Sequence, residues 1–168
     1  MSSITNRYAL SNGEFLEFSD RAIETLLTFR QRANANEAGG ILLGRVYIGS
    51  HVLIEQATTP NLHDKAGRYF FDRSRRAAQV IVNKAWRASR GEQNYLGEWH
   101  SHPISNPTPS QRDREMIRNM CRDTQHHIGF LFLVIIGTQE TWIGIQDRKR
   151  LRKLKPFKMR NTTVSSEL

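Results

Sequence analysis

The chain has 168 residues, 38% of them hydrophobic, with 25 Lys or Arg against 16 Asp or Glu for a net charge of +9. That length fits one domain with its own core; the single cysteine, Cys121, excludes an internal disulfide and an all-cysteine zinc site, so zinc would have to rest on His and carboxylate ligands. The charge is uneven, because residues 147–168 hold eight Lys or Arg and two acids, a net of +6 that leaves only +3 for the rest, and this argues against a nucleic-acid groove across the fold.

The first seven residues lack an apolar signal core, and the longest apolar run, 130–136, is too short to span a bilayer. The expected compartment is the cytoplasm, with no membrane partner. Residues 14–18 alternate and predict a short strand. Ser19 or Asp20 caps a helix to about residue 33, with Ile23, Leu26 and Leu27 on one face. Residues 41–48 and 52–57 predict a hairpin that turns at Gly49-Ser50. A loop is expected over 59–69. A second helix over 73–89 carries the stripe Ala77, Val80, Ile81 and Ala85. A strand over 95–102, a proline-rich loop and a third helix over 110–122 follow. Residues 128–136 predict a central strand, and 141–146 its hairpin partner. The expected architecture is an α/β domain over 1–146, with a mixed sheet and about three helices, then a basic tail over 147–168.

Chemistry concentrates in His100-Ser101-His102-Pro103, then six residues, then Ser110-Gln111-Arg112-Asp113. Histidines at i and i+2 on a strand share a face, so their imidazoles can meet on one ion at about 2.0–2.1 Å. Asp113 begins the stripe Met116, Ile117, Met120 and Cys121 on the third helix. A carboxylate facing a core needs a cation. Two histidines, one aspartate and a water would leave an open coordination position, as catalytic zinc requires. Ser110 and Asp113 also fit a helix-capping box, which explains neither the histidines nor the prolines. A hydrolytic zinc needs a base for its water. Glu37, before Gly40-Ile41-Leu42-Leu43-Gly44, is one candidate. Glu98, on the face of His100, is the other, unless it orients a histidine instead.

These residues together resemble the JAMM (MPN-plus) metallopeptidase family, whose motif is matched from Glu37 through Asp113. The resemblance implies the single curved-sheet MPN (cytidine deaminase-like) domain. It implies one catalytic Zn²⁺ on His100, His102 and Asp113, with Glu37 as the base and Ser110 supporting the oxyanion. It implies cleavage after the extended C-terminal tail of a ubiquitin-like protein, bound as an added strand. Gly97-Glu98-Trp99 and Tyr69-Phe70-Phe71-Asp72 before a basic helix are similar to the stand-alone JAMM peptidases of anti-phage CBASS operons. That similarity implies a conjugated cGAS-like nucleotidyltransferase as substrate and a ubiquitin-ligase-like operon partner. Sulfur-carrier or ubiquitin-like precursor processing is the nearest alternative. The connection expected over 123–127 is short, which implies loose acceptor selectivity.

Rival classes find less support. A zinc deaminase needs a Pro-Cys-x-x-Cys pair, and there is one cysteine. A cysteine peptidase would need Cys121 activated by His126 or His127, yet Cys121 sits mid-stripe on a helix. His51 and His63 read as turn or surface residues. A metal-free relative of the family would be an interaction scaffold. In the tail, Arg148, Lys149, Arg150, Arg152 and Lys153 are candidate contacts to an acidic partner or nucleic acid. The plainer reading is a solvated tail docked through Leu151, Leu154 and Phe157.

Overall fold

The computed structural model describes residues 4–32, 34–123 and 128–158. Its main sheet is mixed and has eight strands in the order β1-β2-β4-β3-β7-β8-β9-β10. The outer strands on one side are β1 (Arg7–Ala9), β2 (Phe15–Phe18) and β4 (His51–Ala57). The centre is β3 (Gly39–Tyr47), β7 (Asn94–Ser101) and β8 (Leu131–Ile136), followed by β9 (Thr141–Gln146) and β10 (Leu151–Lys153). The β2–β4 and β7–β8 pairs are parallel.

Strand parity divides the core. Every residue of β8 is buried. Its Phe132, Val134 and Ile136 join Phe18, Trp99 and the buried Ala22 and Leu26 of helix α1 (Asp20–Thr28). Its Leu131, Leu133 and Ile135 meet Ile117 of α3 (Gln111–Asp123). In β3, Ile41 and Leu43 meet Ala78 of α2 (Arg75–Ala88). A strand buried on both faces reads as an unbroken apolar run, which is why 130–136 stands out in the sequence.

Besides β1, which no expected element covers, and the buried face of α2, where Ala78 is inside and Val80 of the expected stripe is exposed, the structure departs from the expected elements in three places. Helix α1 ends at Thr28, short of residue 33, because tertiary bonds recruit the next side chains. The Arg30 guanidinium donates to the Gly137 carbonyl at 3.1 Å, and the Gln31 amide donates to Ala35 and Arg68 carbonyls. The expected loop holds β5 (Lys65–Gly67), which forms a separate hairpin with β6 (Phe70–Asp72) just beyond it; three-residue strands are too short for a periodic signal.

The third departure is at the boundary expected after residue 146, which falls inside the sheet. β10 pairs with β9, and Leu154 is 3% exposed in the core. Ala9 then donates to the Lys155 carbonyl at 2.8 Å, and Phe157 donates to that of Arg7 at 2.9 Å. The sheet thus curls until the segment after its last strand meets its first. The segment 124–127, with the short connection expected there and His126 and His127, lies outside the described residues. Among the described residues, no helix is long and apolar enough to cross a membrane.

Candidate metal centre

The site begins with an irregularity in β7. Leu42 of β3 faces Gly97 and Leu43 faces Tyr95, so Leu96 is extra. Gly97 adopts φ 149°, and a Cβ there would stand 2.0 Å from the Phe132 carbonyl oxygen, so only glycine fits. The bulge brings Tyr95 onto the face of Glu98, and the Tyr95 hydroxyl donates to the Glu98 carboxylate.

Beyond the bulge, alternation resumes and His100 and His102 emerge on one face. Their Nε2 atoms stand 3.0 Å apart. Asp113, 8% exposed at the start of α3, places Oδ1 3.1 Å from His100 Nε2 and Oδ2 3.5 Å from His102 Nε2. Ligand atoms about 2.0–2.1 Å from one tetrahedral ion stand about 3.3 Å from each other. The three separations scatter around that edge length, so the donor set fits a divalent ion. No other group of three His, Cys, Asp or Glu converges this way among the described residues.

The capping-box reading of Ser110 and Asp113 is realised, and it leaves Asp113 among the convergent side chains. The Ser110 N–H donates to Asp113 Oδ2 at 2.7 Å, and the Asp113 N–H donates to Ser110 Oγ at 3.1 Å. This is the reciprocal capping box. It fixes the carboxylate so that its remaining lone pairs aim at the histidines.

Glu37 comes from the segment before β3. The register pairs Gly39 with His100, and Ser101 N–H donates to the Ala38 carbonyl at 2.8 Å. One residue further brings Glu37 level with His102. Its side chain lines the same cavity as His100, His102, Asp113 and Ser110, a space of about 470 Å³. Sequence reasoning missed Ser101, the middle residue of the histidine motif. It is fully buried, and its Oγ accepts from the Ala38 N–H at 2.9 Å. It therefore clamps the backbone next to Glu37. Parity held the signal: Ser101 must face away from the histidines into the core, where a hydroxyl needs a partner.

Glu98 lines the same cavity but stands apart from the three convergent side chains. Arg73 holds both of its oxygens, at 2.8 and 2.7 Å. Among the described residues, no hydrogen bond joins it to either histidine. Arg148, Lys149, Arg150, Arg152 and Lys153 line no part of this cavity. Arg152 and Lys153 lie in β10, and the N–H groups of Lys149 and Arg150 donate to Asp147 in the preceding turn. Burial pushes the Cys121 thiol up, which disfavours a nucleophilic thiolate.

Electrostatics separates the two carboxyl groups. Burial pushes Glu37 up to about 7 from its ordinary 4.5, against the pull of His100. Burial also opposes ionisation of Asp113, but the hydrogen bond and charge of His100, with the Ser110 N–H and hydroxyl, hold it well below the usual carboxylate range. His102 is lowered by burial and by His100, against Asp113.

A stability prediction follows for the metal-free protein. Folded Glu37 keeps a proton that the unfolded chain releases at 4.5, so its contribution is full below that pH and is lost as pH rises through about 7. Glu37→Gln removes this dependence. Urea midpoints of the metal-free wild type fall relative to those of the variant between pH 4.5 and 7. Parallel midpoint curves would contradict the assignment.

Comparison with known proteins agrees with this geometry. Residues 19–152 match the family Prok-JAB, prokaryotic homologs of the JAB domain. A Pseudomonas aeruginosa protein named CD-NTase/cGAS isopeptidase is 47% identical over 107 residues, covering 61% of this chain and 65% of that protein, just under two thirds of its length. A Vibrio cholerae protein of the same name is 33% identical over 135 residues, covering 79% of this chain and 83% of that protein. The solution structure of protein DSY2949 from Desulfitobacterium hafniense superposes with a TM-score of 0.58 at 22% identity, covering 82% of this chain and 88% of that one. That likeness is one of fold. With the match running from the cap of α1 through most of β10, the chain belongs to the family of prokaryotic homologs of the JAB domain.

Proposed function

We propose that this chain is a zinc-dependent isopeptidase that cuts the bond between a protein's extended C-terminal tail and the group conjugated to it. The tail we assign is that of a cGAS-like nucleotidyltransferase in bacterial antiviral defence. The observation that carries the chemistry is the convergence of His100, His102 and Asp113 beside Glu37. The names of the Pseudomonas and Vibrio relatives support the substrate class.

Two imidazole nitrogens and a carboxylate suit zinc. When bound, such an ion polarises a carbonyl and makes water acidic near neutral pH. The chain's own residues do the rest. A cation beside Glu37 favours its ionised form, which accepts the water's proton and later returns it to the leaving amine. The hydroxyl of Ser110, on the cavity wall, supports the oxyanion of the tetrahedral intermediate. The Asp113 carboxylate, locked by its cap, keeps the two histidines convergent.

The direct test is a nucleotidyltransferase conjugate incubated with zinc-loaded protein and read by mass spectrometry. Release of the intact tail is expected, with chelator stopping the reaction. An uncut conjugate in the presence of bound zinc would leave a binding scaffold as the better reading.

A further inference from the structure

The β5–β6 hairpin is a wall of the metal cavity, to which it contributes Phe70, Phe71 and Asp72. It pairs with no strand of the main sheet. A hairpin of two three-residue strands is not stable by itself in water, so its position has to come from elsewhere. Backbone contacts anchor one side: Glu37 N–H donates to the Gly67 carbonyl at 2.8 Å, and Gln31 reaches the Arg68 carbonyl. The base is closed by Asp64, which accepts the N–H of Ser74, the cap of α2, at 2.8 Å. The Phe71 ring lies against Gly39 of β3, and a further anchor is Arg73, the first residue after β6. Its guanidinium forks onto Glu98 of β7, two positions before His100, and Tyr95 completes the carboxylate's shell.

This pair is nearly dry, with side-chain exposures of 14% for Arg73 and 5% for Glu98. Dry ion pairs give little net stability over apolar residues of the same size, because desolvation offsets the attraction. What they supply is direction, since a planar fork meets a carboxylate in one orientation. Glu98 also shares a face with the histidines, where an untethered carboxylate could swing toward their cation. The fork holds it back.

The geometry points to Arg73 and Glu98 as positioning residues that fix the β5–β6 hairpin as a preformed wall of the metal cavity, ready to receive the substrate tail. This rests on the peptidase reading above only for the tail. The wall itself is testable without any substrate.

The test compares wild type with Arg73→Met and with Arg73→Met/Glu98→Met. The double variant leaves no unpaired buried charge, so it folds even where the single one does not. Amide hydrogen exchange is followed on zinc-loaded protein. We expect residues 65–72 to exchange at least tenfold faster in the variants, with β7 and β8 unchanged and metal content retained. On a cleavable conjugate, KM rises about tenfold while kcat changes less than threefold. Unchanged protection of 65–72 in the folded double variant overturns the proposal, as does a loss confined to kcat. Should no conjugate be cleaved by wild type, the exchange result decides alone, and the failure then belongs to the peptidase reading.

Discussion

Glu37→Gln retains its metal and loses cleavage by about 10²–10⁴-fold, the range supplied by a positioned general base. The substitution is nearly isosteric, and the site already tolerates a neutral side chain, since burial pushes the wild-type carboxyl up to about 7 and so keeps its proton on through mildly acidic pH before metal binds. Folding is therefore not the casualty. The amide keeps the shape and the polar contacts but cannot take a proton. Metal content of the purified variant should match that of wild type, and the defect should lie in kcat. Full activity would transfer the base role to another group. Glu98 is a poor heir, because Arg73 engages both of its oxygens.

His100→Ala has the larger effect, because it removes binding and chemistry together. The Nε2 of His100 is within 3.1 Å of both other ligand atoms, so its loss leaves two donors where a catalytic ion needs three. Outer partners of ligands are commonly worth about 10–100-fold in affinity, so a direct ligand should exceed about 100-fold. Asp113 would also lose the neighbour that keeps it ionised in a buried position. Competition titration against a zinc indicator checks the first claim, and conjugate turnover at saturating zinc checks the second. Wild-type zinc affinity in this variant would dissolve the candidate centre.

How far the sequence foretold the molecule depends on the range of each interaction. The histidine pair was legible because strand alternation fixes directions two residues apart. Asp113 was legible because a helix stripe and a cap are both local patterns. The Arg73–Glu98 fork spans 25 positions and follows no periodicity, so sequence alone leaves Glu98 open between base and support. The β5–β6 hairpin, part in and part beyond the expected loop, leaves no mark in the sequence, because three residues cannot show a period. The end of α1 was misplaced for a related reason, since distant carbonyls outbid the helix for Arg30 and Gln31. Leu151, Leu154 and Phe157, apolar at every third position, matched neither strand nor helix rules. They sit in or beside a strand that the sheet needs to curl shut.

That seam governs when the protein can finish folding. Arg7 and Phe157 bond across it although 150 positions separate them, 157 − 7. Contacts of such long sequence separation form slowly, because the intervening chain must first be ordered. During synthesis β1 and β9 remain raw edges until the last partner has left the ribosome, a state prone to pairing with other chains. Once in place, the dense Lys and Arg of residues 148–158 line β10, the last strand of the sheet, with the kind of charge that deters such pairing in the finished molecule.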